Sequence, residues 1–521
     1  MSKPKAESLG RSSGIIASAT AASRVTGLVR ETVFAYLLGS GFAADAFFAA
    51  TRIPNLLRDL FAEGALSAAF VPVVAEKLAQ ENRQGASELT SRMMVALGLA
   101  VGVVVLSGIL AAPWIVRGLA PGFAQVPGKS ELTTFLVRWT FPYLWLISLA
   151  ALVAGTLNAM HRFGVPASAP ILFNVGHIAT AVVFYSVFDP PVMALAVGVT
   201  VGAAAQLIFQ WPALKRAGFR FRFAWPWRDP DVRRVFKLML PVVLGLAALQ
   251  LNNLATTLIA TLLPEGSLSY LTYAFRLMHF PLGVFAVAIG TAVLPRASTQ
   301  VALNDRASLS ETYGEGMQLA LFLVLPAAFF LILFPEAIVG VVYQRGAFSA
   351  ADTLSTAAAL RFYAIGLIGY TGVRVTAPFF YAHNDTRRPM RIAMAAVAVN
   401  IALNIALALP LGFRGLALAN ALSGTLNFAL LAGMLWKHYG IVVDRRRLRT
   451  CAHIASDGLV AALVSGLVWI WWRRGIAART FFVRLSELGL LGLVFLAVYL
   501  WRAAIPGSLP RRLLRRLVRR S

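Results

Sequence analysis

Apolar runs of about 20 residues recur along the chain almost from one end to the other. A run of that length crosses the roughly 30 Å hydrocarbon core of a bilayer as an α-helix. The pattern predicts fourteen spans, at about 13–38, 43–76, 91–117, 132–158, 167–187, 191–214, 234–263, 268–296, 314–342, 354–382, 389–410, 414–437, 451–472 and 481–502. The first two meet at Gly39-Ser40-Gly41. The second is too long for one straight crossing. Pro54 predicts a kink within it, because proline lacks the amide donor and crowds the preceding turn.

Sequence marks recur at nearly constant offset. Arg138 and Pro166 are 28 residues apart, as are Arg361 and Pro389. Arg52 and Pro72 correspond to Arg276 and Pro295, Pro113 to Pro335, and Lys215-Arg-Ala-Gly218 to Lys437-His-Tyr-Gly440. The offsets lie at 222–224 residues and enclose six spans. An even number of crossings makes the repeats parallel, an arrangement found in secondary transporters. The expected fold is therefore an all-α polytopic membrane protein. About fourteen transmembrane helices form two six-helix lobes, residues 1–218 and 219–440, plus an extra helix pair at 441–503 and a basic tail at 504–521.

Composition fits this picture: 521 residues, 58% hydrophobic and 13% charged, with mean hydropathy +0.72. No stretch reads as a sizeable soluble domain, and the charged first run is too long for a cleavable signal peptide. Cys451 is the single cysteine, which excludes an intramolecular disulfide. The net charge of +26 would suggest nucleic acid in a soluble protein. Here it follows membrane topology, and no nucleic-acid partner is expected. Of 48 Lys and Arg, 32 fall on the side holding both termini, eight on the other side and eight within spans. Both termini are accordingly expected in the cytoplasm. The tail PRRLLRRLVRR from Pro510 and the loop Lys215–Lys237, with Trp225 and Trp227, suit an anionic leaflet surface.

The first two spans hold Arg24, Arg30, Glu31, Asp45, Arg52, Arg58, Asp59 and Glu63. A charge at mid-bilayer costs about 2.5–3.5 kcal/mol on insertion scales, so such residues face protein or a wet cavity. At about 100° per residue, Arg24 and Glu31 share a face, and so do Asp45, Arg52 and Asp59, with Asn55 close by. Arg276, at the repeat position of Arg52, is expected to be buried and to face this wall across a cleft. Internal pairs such as Arg24–Glu31, Arg52–Asp59 or Arg58–Glu63 are one reading. The other rests on arginine outnumbering acid, because guanidinium forks suit phosphate or carboxylate. Asn252, Asn253, Asn400 and Asn404 read as a polar patch between spans 7 and 11, for helix-to-helix hydrogen bonding, and a cation site there would lack a carboxylate. His177 and His279 read as packing residues. Arg138, Arg361 and Arg374 are expected at span ends or snorkelling. No GxSxG, HExxH, Walker A or EF-hand motif occurs, so no catalytic set, metal or cofactor is expected.

SRVTGLVRE, followed by DAFFAATRIPNLLRDLFAEGALSAAFVPVVAE, resembles the MurJ (MviN) lipid II flippase family, within the multidrug/oligosaccharidyl-lipid/polysaccharide exporter superfamily. YAFRLMHFPLGVFAVAIGTAVLP resembles the same family. The resemblance implies a transporter, not an enzyme. It would move undecaprenyl-pyrophosphate disaccharide-pentapeptide (lipid II) from the cytoplasmic to the periplasmic leaflet of the bacterial inner membrane by alternating access, for cell wall biogenesis. It places substrate-binding arginines on Arg24, Arg30, Arg58 and Arg276. It places cavity or gating residues on Glu31, Asp45, Asn55 and Glu63; Arg52 stands where Lys is common. Arg52 and Asp59 join that cavity set from the helical face. His279 replaces a common acid. The resemblance also implies a lipid-tail groove beside the last two spans. Membrane lipids and other wall-synthesis proteins are the expected partners; the energy source stays open, with membrane potential as one candidate. Alternatives are a flippase for another polyprenyl-linked glycan, a drug/cation antiporter, a polyprenyl-phosphate enzyme, or a non-transporting scaffold.

Overall fold

The computed structural model describes residues 9–80, 82–475 and 480–504; the basic tail from Pro510 lies outside them. The described residues form helices joined by turns, with no strand among them. Contacts divide the chain into two compact units, Met1–Ser269 and Tyr270–Ser521.

The first unit begins with α1 Leu9–Leu38 and α2 Phe42–Arg58, followed by a π turn at Asp59–Ala65 and α3 Leu66–Ala79. After these come α4 Arg83–Leu110, α5 Ala112–Leu119, a 3₁₀ turn at Pro121–Gln125, α6 Lys129–Thr140 and α7 Pro142–Ala159. It closes with α8 Gly164–Phe184, α9 Met193–Arg216 and α10 Pro230–Thr261. Helix α10, first of the expected second lobe, packs here against α3 and the π turn. Ends are set locally. Gly39, at φ +65°, turns the chain between α1 and α2. Asn82 accepts the Gly85 amide at 2.7 Å to start α4, and Asp229 caps α10 ahead of Pro230. Phe34, Phe70, Phe141 and Tyr143 are fully buried in this unit's core.

In the second unit, α11 Ser267–Pro281 runs through a π turn at Leu282–Ala286 into α12 Val287–Ala302. Next are α13 Arg306–Leu333, the short α14 Pro335–Val342, α15 Ala350–Ile365 and α16 Leu367–Ala382. α17 Arg387–Leu411, α18 Phe413–Tyr439, α19 Arg445–Gly475 and α20 Phe481–Ala504 complete it. A Ser349–Asp352 capping box opens α15. Ile289, Tyr313, Phe379, Phe380 and Leu435 share one core. The α19–α20 pair docks on α13 through Phe322, Phe495 and Tyr499, and the Tyr499 hydroxyl donates to the Phe322 carbonyl at 2.9 Å.

Among the described residues, nine helices are long and apolar enough to cross a membrane. They coincide with nine of the predicted spans, and the chain is a multi-pass membrane protein. Predicted spans 43–76, 268–296 and 354–382 fall on helices interrupted at the two π turns and at Gly366. The span at 13–38 is α1, unbroken but charged, and that at 234–263 is α10.

Pro54 sits buried inside α2 without ending it; the regular helix gives way five residues later, at the π turn. Proline cannot donate to the Ala50 carbonyl. The Thr140 hydroxyl reaches that oxygen at 3.3 Å while also contacting the Val137 carbonyl at 3.0 Å. A side chain of α6 thus covers the polar gap that proline leaves in α2.

Candidate functional site: the charged wall of the first unit

Glycine and small residues let α8 lie along α1, and this contact fixes the first part of the site. Arg30 donates to Glu31 Oε1 at 2.7 Å and to Asn174 Oδ1, from α8, at 3.1 Å. Its guanidinium also stands 5.6 Å from the Phe34 ring and 5.7 Å from the Phe173 ring, close enough for cation–π attraction. Asn174 donates in turn to the Ser23 carbonyl and the Thr26 hydroxyl. The acid partner of this stretch is therefore Arg30–Glu31 and not the expected Arg24–Glu31, because adjacent side chains converge where α8 closes over them. Arg24 is half-buried and makes no hydrogen bond or ion pair among the described residues. It keeps its donors for another acceptor.

The second part lies on α2 and the π turn. Arg58 donates to Asp59 Oδ1 through Nε and Nη2, at 3.1 and 2.7 Å. Its Nη1 reaches the Tyr143 hydroxyl at 3.3 Å, which itself donates to Asn55 Oδ1 at 3.3 Å. The other Asp59 oxygen accepts from Gln250 at 3.1 Å, and Gln250 accepts from Asn253. Arg52 donates to the Thr257 hydroxyl at 2.7 Å. The expected Arg52–Asp59 pair is thus replaced by Arg58–Asp59. Asp59 keeps helical backbone at the entry to the π turn and lies between its neighbour Arg58 and Gln250 of α10. The Glu63 side chain lies outside the described set.

Asp45 has a different setting from the one expected. It is 2% exposed. One oxygen accepts from Lys129 Nζ at 3.0 Å and the Gly266 amide at 2.8 Å; the other accepts from the Ser269 amide and hydroxyl at 3.0 and 2.6 Å. Lys129 is equally buried, its ammonium 4.6 Å from the Phe123 ring. Glu265 accepts the Phe42 amide at 2.9 Å beside this cluster. The result is a closed clasp of α2, α6 and the turn after α10. A buried charge needs such full pairing.

In the second unit Arg276 is exposed, not buried as expected. His279 Nδ1 donates to the Phe275 carbonyl at 3.2 Å, and its ring lies tilted against the Phe275 ring, centroids 3.9 Å apart. Asn404 donates to Asn400 at 2.8 Å, and Asn400 to Ser423 at 2.9 Å; these bonds join α17 to α18, the eleventh and twelfth predicted spans, whereas the sequence reading puts the patch between the seventh and eleventh. Asn253 is engaged within the α10 network and Asn252 is likewise engaged. Arg138, Arg361 and Arg374 are exposed, and Arg361 donates to the Ile332 carbonyl. His177 packs among Phe34, Phe47 and Phe173 and bonds the Leu195 carbonyl.

Sequence reasoning missed Lys129, Tyr143, Asn174, Gln250 and Thr257. Each reaches the wall from a helix 80 or more residues away. Their one signal was a polar atom inside an apolar run. With Asp45 spent on Lys129, the wall carries Arg24, Arg30, Arg52 and Arg58 against Glu31 and Asp59 among the described side chains.

The sequence model of lipid II flippase MurJ matches residues 34–491. A probable lipid II flippase MurJ of Vibrio cholerae serotype O1 is 37% identical, over 92% of this chain and 93% of the relative. The lipid II flippase MurJ of Burkholderia cenocepacia is 36% identical, over 79% and 81%. Among solved structures, lipid II flippase MurJ in an inward closed conformation superposes with TM-score 0.78 at 24% identity, covering 94% of this chain and 98% of that one. An inward-facing multidrug resistance MATE family transporter of the MOP superfamily gives 0.69 at 13% identity, covering 80% and 94%. The two superpositions agree in fold. An all-helical chain with this charged wall and these relatives belongs to the lipid II flippase MurJ family.

Proposed function

We propose that this chain flips lipid II from the cytoplasmic to the periplasmic leaflet of the inner membrane, by exposing the charged wall alternately to the two sides. The observation that carries this reading is the excess of guanidinium over carboxylate on α1 and α2. A diphosphate supplies the missing negative charge, and arginine forks bind it bidentately. Arg24 offers uncommitted donors. Arg30 and Arg58 are held by the acids next to them, so Glu31 and Asp59 act as positioning residues that yield their partners to the stronger anion. Both termini face the cytoplasm in this reading, in line with the 32 to eight split of basic residues. Wall-synthesis proteins are natural neighbours of such a flippase.

The test is depletion of the protein followed by a leaflet-specific assay of lipid II. Accumulation on the cytoplasmic side is expected, with rescue by the wild-type chain. Arg24→Ala is expected to abolish rescue and Arg24→Lys to weaken it by about tenfold, since the fork is lost. Arg276→Ala, which the family resemblance adds to the set, is assayed in parallel. Full transport by both alanine variants would remove the diphosphate-binding role.

A further inference from the structure

A recess of about 550 Å³ opens in the first unit between α5, the 3₁₀ turn and α6. Arg117 lines it from α5, and Glu131 and Arg138 line it from α6. Glu131 and Arg138 are two turns apart on one face of α6, roughly 10 Å along its axis. All three side chains are exposed and make no hydrogen bond or ion pair among the described residues. Nearby Lys129 adds no charge here, because it is buried in the Asp45 clasp. The recess therefore presents two uncommitted guanidinium groups and one uncommitted carboxylate.

Its walls are firm and partly apolar. Phe123 and Phe135 line it, and Phe135 leads to the exposed ring of Trp139, centroids 6.3 Å apart. Gly122 holds the 3₁₀ turn against the end of α10, where any Cβ would collide with the Thr261 carbonyl. The recess also sits where Lys129–Ala159, long and apolar enough to cross a membrane, begins, which is where a crossing helix meets lipid headgroups.

Two arginines suit a phosphate ester. A purely anionic ligand would leave Glu131 facing like charge, whereas a ligand with an ammonium beside its phosphate satisfies all three groups. The aromatic wall suits an attached apolar chain. We propose that this recess binds the headgroup of an amine-bearing zwitterionic phospholipid, the phosphodiester on Arg117 and Arg138 and the primary ammonium on Glu131. The inference rests on this recess alone and is independent of the transported substrate.

The experiment is native mass spectrometry of the full chain, titrated with phosphatidylethanolamine or phosphatidylglycerol, with soluble O-phosphoethanolamine as competitor. Wild type is expected to favour phosphatidylethanolamine by about threefold to fivefold, the discrimination one exposed ion pair supports. Arg117→Gln with Arg138→Gln is expected to lose the bound lipid. Glu131→Gln is expected to erase the preference by letting phosphatidylglycerol bind as well. Thermal melting of each variant checks folding, which substitutions at exposed positions leave intact. Equal binding of both lipids by wild type, or an unchanged preference in Glu131→Gln, would overturn the proposal. Complete displacement by millimolar O-phosphoethanolamine would overturn the lipid assignment in favour of a soluble phosphate ester.

Discussion

At the scale of single residues, the wall is built from pairs that periodicity does not reveal. Helical spacing gives the face a side chain occupies, and it groups Arg24 with Glu31 and Asp45 with Arg52 and Asp59. It cannot name the partner. Asp45 read as a cavity acid because Lys129, 84 residues on, is invisible to local spacing. Removing either half of that clasp strands a buried charge. Asp45→Ala and Lys129→Ala are each expected to destabilise by about 3–5 kcal/mol. The double variant should lose about 1–3 kcal/mol less than the sum, measured by denaturation in detergent. A second residue-scale prediction concerns the α16–α17 loop. Asp385 accepts from the Arg388 amide and guanidinium and from the Tyr439 hydroxyl. Burial pushes its carboxyl upward, but these hydrogen bonds outweigh it and hold the carboxyl below its ordinary value of 3.8. A depressed value means the folded state binds the proton less readily than the unfolded one. The loop's stabilisation should be constant from neutral pH down to that ordinary value and fade below it. Hydrogen exchange of 383–391 against pH checks this, and Asp385→Asn should remove the dependence.

At the scale of elements, the nine apolar helices were legible because length and hydropathy alone define a membrane crossing. The interruptions were less so. Proline suggested the break in the second span, yet the break is the π turn, which carries no compositional mark. A π turn adds one residue and so rotates the helix beyond it by about 100°. Face arithmetic that starts at Asp45 fails past that turn; Asp59 stands at its entry, its amide still on the Asn55 carbonyl, and takes Arg58 and Gln250 as partners that spacing does not name. The Thr140 hydroxyl over the proline gap gives a test at this scale. Thr140→Val leaves the Ala50 carbonyl without its donor and is expected to cost about 1 kcal/mol. Pro54→Ala restores a backbone donor, so in that background the same substitution should cost measurably less.

At the scale of the whole molecule, the chain divides into two compact units at Ser269, whereas the repeat in the sequence puts the boundary of its lobes at 218/219. In the proposed cycle a wall richer in arginine than in acid is positive when empty, and the membrane potential can act on that charge as the unloaded wall resets, about 2.3 kcal/mol per charge per 100 mV. If that potential drives the cycle, lipid II flipping measured in depolarised cells should stop while binding to the purified protein persists. Unchanged flipping would exclude this energy source.

The contact between Arg30 and Asn174 also bears on how the protein is made. The two residues are 144 positions apart, so α1 leaves the ribosome long before α8 exists. At 5–20 residues per second the delay is roughly 7–30 s. Through that interval α1 holds Arg24, Arg30 and Glu31 with no α8 to cover them, each costly to leave in lipid. Translation intermediates ending before α8 should therefore carry α1 loosely seated, open to aqueous thiol reagents at a cysteine placed beside Arg30. Intermediates that include α8 should be protected.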